Sequence, residues 1–263
     1  MKSNAKLKTS FGLAVIAVAI GGGCATGGSS SQKTELNDHD RAMLLVDIAN
    51  GALVEGDSTG ALAKLVEAER IDSSVPELHH SKALAFFAKR DYASAVDSAR
   101  RAVSLNPEYA DAQNTLGKLL LDTGRLAEAE VYLRKSAEDK LYRGSFKSRA
   151  NLGILYYRRG EYDRSEKELS KAIDEAPSVA CISHYYRGHI FLRRKEVKKA
   201  LQDYRESVKN VCGGFADAHY ALAEALARDG QVDEARKKYV EVTRIFQGTD
   251  VAERAVKRLQ ELP

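Results

Sequence analysis

Residues 149–177 read RANLGILYYRRGEYDRSEKELSKAIDEAP, and this stretch decides the fold. Gly153 lies in the middle of a first helical run, Arg159-Gly160-Glu161 makes a polar turn, and Ser165 follows Gly153 by twelve residues, where a second helix must approach the first. Glycine in the turn supplies the left-handed backbone that ends a helix. Outward from here the same unit recurs in both directions. The small residue of the first helix returns as Ala49, Ala83, Gly117, Gly153, Gly188 and Ala223, at steps of 34, 34, 36, 35 and 35. The second small residue returns in phase as Ala61, Ala95, Ala129, Ser165, Ala200 and Ala235. Turns fall between them at Glu55-Gly56-Asp57, Lys89-Arg90-Asp91, Thr123-Gly124-Arg125 and Asp229-Gly230-Gln231, while Lys195-Glu196 breaks the glycine rule. A fixed period of this length signals a stacked repeat array, here six helix–turn–helix units from Arg41 to Thr249.

The unit resembles the tetratricopeptide repeat. That pattern runs from a Leu-Gly pair through an aromatic residue, an alanine and a further aromatic to proline, and it is matched best by Leu152, Gly153, Tyr156, Ser165, Leu169 and Pro177. Pro107 closes the second repeat likewise. The chain has no Trp, and the position where the pattern has it carries Leu45, His79, Gln113, Arg149, His184 and His219. The alternative is a helical solenoid of another type. The resemblance implies an all-α, right-handed superhelical solenoid of six tetratricopeptide repeats over residues 41–262, closed by a capping helix. Asp250 to Leu262 reads as that cap, with Val251, Ala255, Val256 and Leu259 on one face.

Residues 1–23 stand outside the array. Lys2, Lys6 and Lys8 precede an apolar run from Phe11 to Ile20 and then small residues, which is the layout of a secretory signal. The run is too short to cross a bilayer, which takes about 20 residues. Gly22-Gly23-Cys24 resembles a bacterial lipoprotein cleavage site, although Gly21 stands where such signals have Leu. Cleavage there would make Cys24 a lipidated N-terminus; a plain signal peptide cut elsewhere is the alternative. By the same resemblance, Ala25 rather than Asp after the cysteine directs the protein to the outer membrane. Residues 24–40 contain Thr26-Gly27-Gly28-Ser29-Ser30-Ser31 and read as a flexible tether. At about 5–6 Å × √n, its residues after Cys24 would hold the array roughly 20–25 Å from the lipid, in the periplasm.

The formal charge of +4 includes the three signal lysines, which leaves about +1 for the rest. No Lys/Arg run is long enough to track a phosphate backbone, so no nucleic-acid partner is expected. Arg193-Arg194-Lys195 with Lys198-Lys199 is the one basic cluster, and it reads as a solvated helix end. With Cys24 lipidated, Cys181 and Cys212 remain, and in an oxidising periplasm such a pair reads as a disulfide. Cys181 begins the first helix of the fifth repeat and Cys212 follows its second, so an antiparallel hairpin returns the chain to the same end. Two free buried thiols are the alternative. His79, His184 and His219 occupy equivalent repeat positions, about 8–10 Å apart by helix stacking, too far for two ligands of one zinc. They read as core or interface histidines, and no metal, cofactor or small-molecule substrate is expected. There is no phosphate-binding glycine loop after a strand and no nucleophile elbow. The chain reads as a binder with no catalytic residues.

Solenoid curvature lines the first helices along a concave surface. Spacings of three and four place Met43, Val46, Asn50 and Leu53 on that face, then His80, Leu84 and Phe87, and then Asn114, Lys118 and Leu121. Ala150, Ile154 and Tyr157 follow, then Tyr185, His189 and Leu192, and finally Tyr220 and Glu224. Any one of these could instead pack between helices. Val46 and Ser81 stand where a clamp for a terminal carboxylate would need polar ligands, so a hydrophobic segment of a protein partner is the expected guest. Six repeats, a lipid anchor, a short tether and a late cysteine pair together resemble the type IV pilus biogenesis lipoproteins, also called secretin pilotins. That resemblance implies an outer-membrane lipoprotein, anchored through palmitate-bearing Cys24, that binds a pilus secretin and promotes its assembly. A general repeat-lipoprotein adaptor for barrel insertion or cell-wall hydrolases is the alternative.

Overall fold

The computed structural model describes residues 36–262, and the signal segment, Cys24 and most of the tether lie outside them. Six antiparallel hairpins follow one another: α1 (Asp38–Val54) with α2 (Ser58–Ile71), α3 (Pro76–Ala88) with α4 (Tyr92–Leu105), and α5 (Ala110–Asp122) with α6 (Leu126–Glu138). Next come α7 (Ser145–Arg158) with α8 (Tyr162–Glu175), α9 (Cys181–Arg193) with α10 (Val197–Glu206), and α11 (Ala216–Arg228) with α12 (Val232–Ile245). A short 3-10 turn (Asn210–Gly214) precedes α11, and α13 (Asp250–Glu261) closes the stack. No strand occurs among the described residues, and the architecture is an all-α solenoid.

Each hairpin closes in the same way. Gly56, Gly124, Gly160 and Gly230 adopt positive φ, and so do the non-glycine residues Arg90 (61°) and Lys195 (64°). In every turn the next amide reaches back to the carbonyl five residues earlier, as Asp57 does to Ala52 and Glu196 to Phe191. The amide of the left-handed residue itself bonds three residues back, which completes a Schellman cap. The Lys195 turn, which lacks the glycine signal, is thus built like the others and carries the strain of a side chain in the left-handed region.

The two small residues per repeat set the distance between paired helices. A Cβ on Gly153 would fall 2.5 Å from the Leu169 side chain, and one on Gly117 equally close to Leu133, so only glycine admits the leucine there. Ser165 is fully buried and donates its hydroxyl to the Gly153 carbonyl at 2.7 Å. Ala61, Ala95, Ala129, Ala200 and Ala235 are fully buried at the corresponding positions.

The polar residues at the tryptophan position do structural work. His79 donates Nε2–H to the Ser73 carbonyl (2.8 Å), Gln113 its amide to the Pro107 carbonyl, and His219 Nε2–H to the Gly213 carbonyl (3.0 Å). Each pins the loop six residues upstream, between one repeat and the next. In the fifth repeat His184 instead bonds the buried Asp203 (2.8 Å), which Arg187 holds from the other side at 2.7 Å. Burial works against the Asp203 carboxylate, yet these bonds outweigh it and keep its pKa below the usual carboxylate value.

One boundary and one helix face differ from the sequence reading. Helix α1 begins at Asp38, because the Asn37 side chain accepts the Asp40 amide at 2.8 Å and caps it, so residues 38–40 belong to the helix and not to the tether. On α13 the buried residues are Val251, Ala252 and Ala255, with Leu259 partly covered. Val256 is 47% exposed, since a terminal helix has a neighbour on one side only.

Candidate partner-binding groove

Successive first helices touch one another, so α1, α3, α5, α7, α9 and α11 form one continuous wall. Two hollows open along it.

The N-terminal hollow, about 560 Å³, is lined by Met43, Asn50, Leu53, His80 and Leu84 among others. His80 bonds the Tyr109 hydroxyl at 3.0 Å and the Thr115 hydroxyl at 2.9 Å, and burial lowers its pKa. Asn50 accepts the buried Ser81 hydroxyl at 2.7 Å. Leu84 (37%) and Phe87 (40%) keep a good part of their surface in solvent. Phe87 leans on Tyr92, and the Lys118 ammonium lies 5.9 Å from its ring centre. Lys118 also pairs with Asp122. Asn114 accepts bonds from Ser148 and Asn151, and so joins the third repeat to the fourth.

The C-terminal hollow, about 370 Å³, gathers Tyr157, Tyr185, His189, Leu192, Tyr220 and Glu224. Tyr185 and His189 stack edge to face at 4.4 Å, and His189 Nδ1 is hydrogen-bonded to the Tyr204 hydroxyl at 3.0 Å. Burial, aided by the charges of Arg193 and Arg228, pushes the His189 pKa down to about 4, so the ring is neutral at pH 7. Burial raises the Tyr185 phenol to about 12. Glu224 is held by Arg258 at 2.7 Å and hydrogen-bonded to Tyr239.

Three groove residues read from the sequence are corrected: Leu121 (0% exposed), Ile154 (6%) and Ala150 (6%) belong to the core and line neither hollow, while Val46, also buried at 1%, lies at the floor of the N-terminal one. A first helix in a stack packs against its own hairpin partner and both neighbouring repeats, so its apolar arc is wider than its concave face. Residues the sequence reading missed are Arg193, Arg228 and Arg254, which line the C-terminal hollow, and Phe215, whose ring packs on Tyr185. The basic cluster is exposed, as the sequence reading has it, and Arg193 within it also borders this hollow.

Cys181 and Cys212 are joined in a disulfide, Cα to Cα 5.5 Å, which ties the start of α9 to the 3-10 turn. The Cys212 carbonyl accepts the Phe215 amide at 3.0 Å, so this bridge anchors the edge of the hollow.

Comparison with known proteins agrees with this geometry. A tetratricopeptide-repeat family model matches residues 80–142, 150–215 and 209–248. The type IV pilus assembly protein PilF of Pseudomonas aeruginosa is 25% identical over 171 residues, covering 63% of this chain and 68% of that protein. The solved structure of Pseudomonas aeruginosa PilF superimposes with a TM-score of 0.72 at 19% identity, over 84% of this chain and 99% of that one. PilW, described as a widely conserved type IV pilus biogenesis factor, gives 0.73 at 18% identity, over 82% and 98%. These two structural likenesses establish a shared fold.

Proposed function

The chain belongs to the tetratricopeptide-repeat family, and on that premise we propose that it is a lipid-anchored scaffold on the periplasmic side of the outer membrane that binds a type IV pilus secretin and promotes its assembly. The observation that carries the reading is the match in extent to PilF, whose solved chain is covered to 99% by this array and which is described as a type IV pilus assembly protein. The lipoprotein-like signal ending at Cys24 supports the anchor, and the two hollows supply surface for a protein guest. The repeats occupy the chain from the first hairpin to the cap, which favours binding over catalysis.

The physical need is clear. A pore built of strands must not leave strand edges or apolar surface open in water or lipid before it closes. An anchored array that holds each subunit at the membrane and covers apolar surface would meet that need. The test is deletion of the gene, with heat-resistant secretin multimers on gels as readout. Multimers and pili should be lost while secretin monomer is still made. Normal multimers would overturn the reading in favour of a general envelope adaptor.

A further inference from the structure

The last residues of the six first helices change character along the array: Val54, Ala88, Asp122, Arg158, Arg193 and Arg228. The three arginines are separated by equal steps of 35 residues, so the repeat itself lays them side by side at the ends of α7, α9 and α11, which touch in succession. Packed helices lie about 8–10 Å apart, and the guanidinium groups are therefore rooted at that interval. All three residues are exposed.

A cation at a helix C-terminus is favoured by the helix dipole alone. Two further facts set this row apart. First, most neighbouring arginines are paired: Arg149 with Glu168 and Glu175, Arg159 and Arg164 with Glu130, and Arg194 with Asp163 and Glu166. Arg193 and Arg228 have no carboxylate within salt-bridge distance among the described residues. Arg193 lies over the rings of Tyr157 (5.8 Å) and Tyr162 (5.2 Å) and reaches the Tyr157 hydroxyl at 3.4 Å. Glu224, one turn before Arg228 on α11, is bonded to Arg258 and feels the Arg228 charge only at longer range. Second, both arginines line the aromatic C-terminal hollow. The carboxylates of this hollow are already taken, Asp217 by Arg254 and Glu224 by Arg258, whereas the N-terminal hollow is lined by Asp47, Glu77 and Asp111 with no Lys or Arg.

We propose that the C-terminal hollow docks an extended acidic segment of a partner protein, whose carboxylates at every third residue meet Arg158, Arg193 and Arg228 while an apolar or aromatic side chain between them enters among Tyr157, Tyr185 and Tyr220. The inference rests on the concave face being a docking surface, as the proposed function holds, and names the chemistry of its guest at this end. The spacing argues for the conformation. A polyproline-II strand has three residues per turn and rises about 3.1 Å per residue, so every third side chain points the same way at about 9 Å intervals. That interval matches the helix stack. Aromatic walls suit such a strand, which brings little conformational entropy to lose. Arg158 contributes least, because it shares Asp122 (4.0 Å) and donates to the Leu121 carbonyl (2.8 Å).

The experiment uses the purified protein and a fluorescein-labelled synthetic peptide of three Glu-Pro-Leu units, read by fluorescence anisotropy at low and moderate salt. Controls are the same peptide with Gln for each Glu and a scramble with the glutamates adjacent. The regular acidic peptide should bind at least tenfold more tightly than either control. Arg193→Gln with Arg228→Gln should weaken it by about tenfold or more and flatten the salt dependence, since charge-assisted contacts are lost. Leu84→Glu in the other hollow should leave it unchanged. Arg228→Gln alone, at an exposed position, gives the same reading should the double variant melt early. Equal affinity for the Gln peptide, no binding of the acidic one, or unaltered binding by the variants would overturn the inference. In cells, multimers lost on gene deletion but normal with Arg193→Gln and Arg228→Gln would remove this inference alone. Multimers that survive deletion would remove the pilus reading and leave the peptide result standing.

Discussion

The rings of Tyr185 and Phe215 lie 4.8 Å apart, one on the first helix of the fifth hairpin and the other on the connection into the sixth. Only two residues separate Phe215 from Cys212, whose carbonyl accepts its amide. The disulfide from Cys181 to Cys212 therefore holds one wall of the C-terminal hollow in register with the other.

Removing that bridge should cost both stability and site geometry. Cys181→Ser with Cys212→Ser frees a loop of 31 residues, and the chain-entropy picture gives about 3–4 kcal/mol for a closure of this size. The variant should melt earlier, and peptide affinity at the C-terminal hollow should fall while the N-terminal hollow is unaffected. Mass spectrometry of an unreduced digest should find the linked peptides; free thiols in protein taken from the periplasmic side would refute the bridge.

The turn residues offer a gain in stability. Arg90 and Lys195 sit at φ 61° and 64° where four sister turns have glycine. A side chain in the left-handed region costs about 1–2 kcal/mol, and glycine returns part of that through the freedom of its unfolded chain, about 0.5–1 kcal/mol. Lys195→Gly should thus stabilise by about 0.5–1 kcal/mol, read as a higher urea midpoint at unchanged slope. The reciprocal change, Gly160→Ala, should lower the midpoint.

How much could be read from the chain alone follows from distance along it. The period, the helix pairing and the contact of Gly153 with Leu169 are legible because they repeat locally and in phase. Whether Leu121 or Phe87 faces the groove is not, since one is fully buried and the other 40% exposed at spacings that fit the same helical face. Packing on three sides decides it, and two of those sides come from other repeats. Arg193 is the solvated helix end that the sequence indicates, but that it also borders the hollow is hidden for the same reason. The rings it covers include Tyr157, 36 residues earlier, and only the stack brings them together.

Acid should weaken the array before its carboxylates titrate. The His189 pKa falls from 6.5 to about 4 on folding, through burial and then the charges of Arg193 and Arg228. Folding therefore favours the neutral ring: the contribution is fully present above pH 6.5 and is lost as pH falls toward 4. His79, His80 and His219 shift in the same direction, each chiefly through burial. The melting temperature should fall between pH 7 and pH 4, and His189→Gln should show a smaller fall across that window. An equal fall in the variant would show that His189 does not contribute.

The anchor is tested at Cys24, which lies outside the described residues. Radiolabelled palmitate should mark the wild-type protein and fail to mark Cys24→Ala, which should then leave the membrane fraction. One acyl chain binds a bilayer only marginally, so stable anchoring requires the multiply acylated N-terminus of a processed lipoprotein. Label persisting in Cys24→Ala would show that the lipid sits elsewhere.

The groove itself is best probed where side chains are exposed. Leu84→Glu and Phe87→Glu place charge on surfaces 37% and 40% open to water, so they should change the melting temperature little. Tyr157 is a poorer probe: its ring is partly buried and packs against Tyr162, Tyr186 and His189, and a glutamate there would disturb the fold as well as the surface. If the N-terminal hollow receives an apolar segment of a secretin, a buried carboxylate without a partner should oppose it by several kcal/mol. Leu84→Glu and Phe87→Glu strains should then lose heat-resistant multimers while the protein itself accumulates normally. Leu84→Met, which keeps an apolar surface of similar volume, should retain them. Multimers at wild-type level in both glutamate strains would assign secretin assembly to another face of the array.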